Sequence, residues 1–132
     1  MKERKMKTFL TAAMTAATLL LSLPAHAQDA TAIQPLGYMI ANYDIKDQAG
    51  FQQYMDAAGS LAAQYNGHVT VFNLNATAVE GNPKSVIAIA EFPSLADAQR
   101  FYNSPEYTAA KQFRIASTEG SVIITEGVPV QP

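Results

Sequence analysis

The chain has 132 residues, 48% hydrophobic and 15% charged, with nine Lys and Arg against eleven Asp and Glu. This length holds one domain, and the composition excludes both a disordered chain and a multi-span membrane protein. A formal charge of −2 offers no general attraction to nucleic acid, and the absence of cysteine excludes disulfides, thiolate zinc sites and a cysteine nucleophile.

Lys2, Arg4, Lys5 and Lys7 precede an apolar run from Thr8 to Leu23, which Pro24 breaks. Ala25-His26-Ala27 then sets small residues at the two positions a signal peptidase reads. Charged start, apolar middle and A-x-A end predict a secretory signal over residues 1–27, cut between Ala27 and Gln28. The run is short of the roughly 20 residues needed to span a bilayer, so no membrane anchor is expected. Removing 27 of the 132 residues leaves 105, with five Lys and Arg against ten Asp and Glu, a formal charge of −5. The expected location is a bacterial periplasm, with neither nucleic acid nor membrane as a partner after cleavage.

Residues 28–36 show no period and carry Pro35, which predicts a flexible lead-in to a domain over residues 37–127, with 128–132 as a tail. Tyr38 to Tyr43 is apolar with an aromatic at each end and predicts a first strand. Asp47 can cap a helix whose stripe runs through Phe51, Tyr54, Met55, Ala58, Leu61, Ala62 and Tyr65, with Asn66-Gly67 as its left-handed stop. A second strand is predicted from His68 to Leu74, continuing irregularly to Val79, and a third from Ser85 to Phe92. Ser94 and Asp97 form a capping box for a second helix, with Leu95, Ala98, Phe101 and Tyr102 on its buried face. Ser104-Pro105-Glu106 restarts that helix to about Ser117, and Gly120-Ser121 leads into a fourth strand, Val122 to Glu126.

The order β-α-β-β-α-β predicts a ferredoxin-like α+β sandwich, an antiparallel sheet with both helices on one face. Val86, Ala88, Ala90 and Phe92 point one way along the third strand and Ile87 and Ile89 the other, so both faces are apolar. Helices cover one of them. The other calls for a partner, most economically the same face of a second copy, and a homodimer through the sheet face is expected.

Glu91-Phe92-Pro93-Ser94-Leu95, followed by Phe101-Tyr102-Asn103-Ser104-Pro105-Glu106-Tyr107, resembles the E-F-P-S-L and W/Y-x-S-P-E-Y signatures of the bacterial family DUF1330. Tyr65-Asn66-Gly67, Glu80-Gly81, Arg114 and Glu126-Gly127 fall where similar family residues stand. The resemblance implies a dimeric α+β barrel built of ferredoxin-like halves, and it implies no activity.

His68 is the one histidine after the signal, so no metal site and no cofactor are expected. Antiparallel pairing brings His68 towards Glu91, with Tyr38 on the same edge. The two are candidates for general acid–base work, or else His68 closes a strand end and bonds to solvent. Tyr38, Tyr102, Tyr107 and Arg114 are candidate ligand-binding residues. Tyr102 and Tyr107 also read as packing residues, and Arg114 as either a clamp on a carboxylate or a helix-end charge paired with Glu119 or Asp44. Ser104 reads as a helix cap, since no G-x-S-x-G elbow activates a serine. The leading expectation is a homodimer binding a small apolar or aromatic molecule. Its competitors are a cofactor-independent small oxygenase or isomerase, and a structural or stress-related dimer without ligand.

Overall fold

The computed structural model describes residues 33–129. The predicted signal and its cleavage residues Ala25, Ala27 and Gln28 lie outside the described residues.

Strand β1 (Gly37–Ile45) leads to helix α1 (Gln48–Ala58), capped by Asp47, whose carboxylate accepts from the Ala49 N–H at 3.1 Å. The helical stripe does not continue unbroken to Tyr65. Gly59 and Ser60 interrupt it, and a 3-10 turn (Ala62–Tyr65) follows, closed by Asn66 in the left-handed region at φ 56°. Strand β2 (His68–Asn73) stops well short of Val79, and β3 (Val86–Phe92) follows a loop. Helices α2 (Leu95–Tyr102) and α3 (Pro105–Ser117) start on serine caps: Ser94 accepts from the Asp97 N–H and Ser104 from the Tyr107 N–H.

Strand β4 (Thr118–Glu126) begins four residues before Val122, because its whole length pairs with β1 out to Thr118 opposite Ile45. Gly120 makes that early start feasible: it lies so close to the Asn42 carbonyl that a Cβ would collide with it. Gly37 serves the same end at the other terminus of β1, where a side chain would strike the Ser94 carbonyl and push α2 off the sheet.

The sheet order is β2-β3-β1-β4, all antiparallel. Helix α1 lies against α3 and α2 packs on β1 and β4, all on one face. Beneath them Ala90, Phe92, Ala98, Phe101 and Tyr107 form one buried cluster, and Ala41, Tyr43, Phe51 and Val86 a second. No helix among the described residues is long and apolar enough to cross a membrane.

The opposite face carries an apolar row. Val71, Ile89, Ile40 and Ile123 are register neighbours across all four strands, and Ile123 and Val71 are exposed.

Candidate functional site

Alanines on the covered face leave a gap. Register pairs Ala41 with Ala88 and Met39 with Ala90, so the centre of the sheet carries small side chains where a close-packed core would need larger ones. Above them α1 presents Tyr54, Met55 and Ala58. The register shift between Val69 and Val71 gives β2 an extra residue, which aims Phe72 as well as Val69 at the same side of the sheet. The result is a cavity of about 260 Å³ between sheet and α1. Val69 (61% exposed) and Phe72 (45% exposed) stand at its open side, while Tyr43, Tyr107 and Arg114 are buried at its closed side.

Polar chemistry is confined to that closed side. The Tyr54 and Tyr107 hydroxyls are 3.1 Å apart, and the Arg114 guanidinium carbon lies 5.9 Å from the centre of the Tyr54 ring. Burial raises the Tyr54 hydroxyl far above the ordinary tyrosine range, and the adjoining Tyr107 adds to this. Burial likewise pushes Tyr43 up to about 12. Both therefore remain protonated at neutral pH and can donate but not act as bases. Burial opposes the charge of Arg114, yet the attraction of Tyr107 and then Tyr54 outweighs it, so the guanidinium stays cationic.

Arg114 does not pair with Glu119 or Asp44. Glu119 is engaged by Lys46 at 3.5 Å and Asp44 by Lys84 at 3.5 Å, while Asp44 also accepts from the Ser85 N–H and hydroxyl. Each acid is taken by a nearby lysine at the surface, and Arg114 instead turns inward from the last turn of α3.

The other candidates are divided between two faces. His68 stands directly opposite Glu91, and Glu91 opposite Tyr38, as antiparallel pairing requires. But Glu91 lies between Ala90 and Phe92, which point to the core, so this trio occupies the face away from the helices. Burial, then the Glu91 charge and a hydrogen bond to it, raise the Tyr38 hydroxyl above its ordinary value. Tyr102 lies outside the cavity on α2, with Lys111 Nζ 3.9 Å above its ring. Only Tyr107 and Arg114 of the six candidates line the cavity. Tyr43 and Tyr54 were missed; their signals were an inward position in β1 and a place on the α1 stripe. No group of three metal-ligating side chains occurs among the described residues.

A four-stranded antiparallel sheet in this order, with its helices on one face, defines a ferredoxin-like α+β protein. Within that class the chain belongs to the family described as Domain of unknown function (DUF1330), whose model matches residues 36–128. Among curated proteins none matches it in sequence. Solved structures do. A protein of unknown function from Rhodopseudomonas palustris is 18% identical with a TM-score of 0.56, covering 76% of this chain and 85% of its own. SnoaB, a cofactor-independent oxygenase from Streptomyces nogalater, is 12% identical with a TM-score of 0.53, covering 74% and 98%. A dabb family protein with a ferredoxin-like fold from Mesorhizobium loti is 17% identical with a TM-score of 0.52, covering 74% and 100%. At these identities the likeness is one of fold.

Proposed function

We propose that the protein is a homodimeric small-molecule-binding protein, exported by its leader, whose mainly apolar ligand enters the cavity past Val69 and Phe72. One observation carries this reading: a cavity of about 260 Å³ floored by alanines, larger than the ~150 Å³ space that suffices for benzene. Native ligand sites share this make-up of apolar walls with a few converging polar groups. Filling the space tests it. Ala88→Leu and Ala58→Leu are each expected to lower the affinity for the neutral one-ring probe 4-ethylphenol by tenfold or more, read by titration calorimetry. Unchanged binding in both variants would remove the cavity as the site.

The likeness to a cofactor-independent oxygenase supports a second reading, in which the bound molecule also reacts with oxygen. Binding alone is favoured because no Asp, Glu or His among the described residues lines the cavity, and burial holds Tyr43 and Tyr54 protonated. Oxygen uptake on adding a ligand would reverse that preference.

The exposed apolar row of the uncovered face supports pairing with a second copy. Ile123→Glu, which sets a charge in that row, is expected to convert a dimer into a monomer by light scattering. A wild-type monomer at micromolar concentration would end the dimer proposal.

A further inference from the structure

Arg114 is 7% exposed, and its Nε has no hydrogen-bond partner among the described residues. It belongs to none of the ion pairs there, which join Lys46 to Glu119, Lys84 to Asp44 and Arg100 to Asp97. Of the other acids on or beside the helices, Asp47 caps α1, Asp56 accepts from Gln52, and Glu106 sits in the first turn of α3, at the opposite end of that helix from Arg114. Buried charges are ordinarily paired, because an isolated one forfeits several kcal/mol of hydration. Tyrosine hydroxyls face this guanidinium but no carboxylate pairs with it among the described residues, so, lining an apolar cavity with its Nε unsatisfied, it is placed to receive an anion supplied from outside.

We propose that Arg114 is the counter-ion for a ligand carboxylate. The cavity then takes a compact monocarboxylate, its apolar body over Ala41, Ala88 and Ala90 and its head at the guanidinium. This rests on the cavity being the ligand site. The planar guanidinium fork matches a carboxylate with two parallel N–H···O bonds. The hydroxyls of Tyr43, Tyr54 and Tyr107 line the same cavity, and since one of the Tyr54–Tyr107 pair donates to the other, the second of that pair and Tyr43 are left as further donors. A phosphate dianion fits poorly. Arg114 is the single cation among the lining residues, and it sits in the last turn of α3, where the helix dipole is negative. Volume sets the body: about 260 Å³ admits one ring and a short chain rather than a fused polycycle.

Titration calorimetry of the purified protein with hydrocinnamate and its neutral amide tests the assignment. Wild type is expected to bind the acid at least tenfold more tightly than the amide, the range of a charge-assisted hydrogen bond. Arg114→Met should bind both alike, and Arg114→Lys, which keeps the charge without the fork, should retain part of the preference. Circular dichroism confirms that each variant is folded. If Arg114→Met does not fold, the acid-to-amide ratios of wild type and Arg114→Lys decide. Equal wild-type affinities for acid and amide, or a preference that survives in Arg114→Met, would overturn the carboxylate assignment while leaving the cavity as a binding site. Failure of both probes together with failure of 4-ethylphenol to bind would overturn both readings.

Discussion

Phe101→Ala is expected to cost about 3–5 kcal/mol and to lower the thermal midpoint by roughly 15–30 °C, read by circular dichroism. Phe101 is 2% exposed, and its ring centre lies 4.4 Å from that of Tyr107, 5.2 Å from Phe92 and 5.7 Å from Tyr65. Those partners belong to α3, β3 and the 3-10 turn, so one side chain ties α2 to three other parts of the chain. Truncation removes the area that the ring buries and leaves a void that rigid neighbours fill only in part. Total stability of a domain this size is about 5–15 kcal/mol, so the loss is a large share of the whole. Tyr102, one residue on, provides the control. Its ring is half-buried under Lys111, and Tyr102→Ala should cost only about 1 kcal/mol. A midpoint that moves equally little in both variants would mean that the α2 contacts are not where the fold is held.

How much of this is legible in the sequence follows from how local each cause is. Asp47, Ser94 and Ser104 were readable as caps because a cap is a hydrogen bond across two or three residues. The order of the elements was readable from periodicity, and the apolar uncovered face from the alternation of Val86 to Phe92. The sequence places the start of β4 too late because Gly120 and Ser121 look like a turn. Only pairing with β1, some 80 residues away, shows that the glycine is there to clear the Asn42 carbonyl. The His68–Glu91 juxtaposition was readable from antiparallel topology, yet its separation from Tyr107 and Arg114 depends on the parity of Glu91 between two core residues. The cavity itself was invisible along the chain, since alanine is unremarkable until Ala41 and Ala88 are found facing each other. The pairing of Arg114 with Glu119 or Asp44, one of its two readings, fails for a related reason. Helix position suggests nearby acids, but not that Lys46 and Lys84 already hold them.

Arg114→Met is expected to make the ligand-free protein more stable, by about 1–3 kcal/mol, with a midpoint several degrees above wild type. The comparison is between a buried guanidinium, with one donor unsatisfied, and a flexible apolar side chain able to fill similar space against Tyr54. Attraction of the cation to the Tyr54 ring is worth about 0.5–2 kcal/mol, less than the several kcal/mol lost in dehydrating an ion. The balance therefore favours the apolar replacement while the cavity is empty. A bound carboxylate reverses the sense. Ligand at a hundred times Kd stabilises wild type by about 2.7 kcal/mol and leaves the variant, which has lost the anion's partner, much less affected. Thermal melts of both proteins with and without hydrocinnamate should show the methionine variant ahead in the absence of ligand and wild type gaining on it in its presence. An Arg114→Met protein that melts well below wild type without ligand would instead make Arg114 a structural residue, its charge satisfied by the surrounding tyrosines alone.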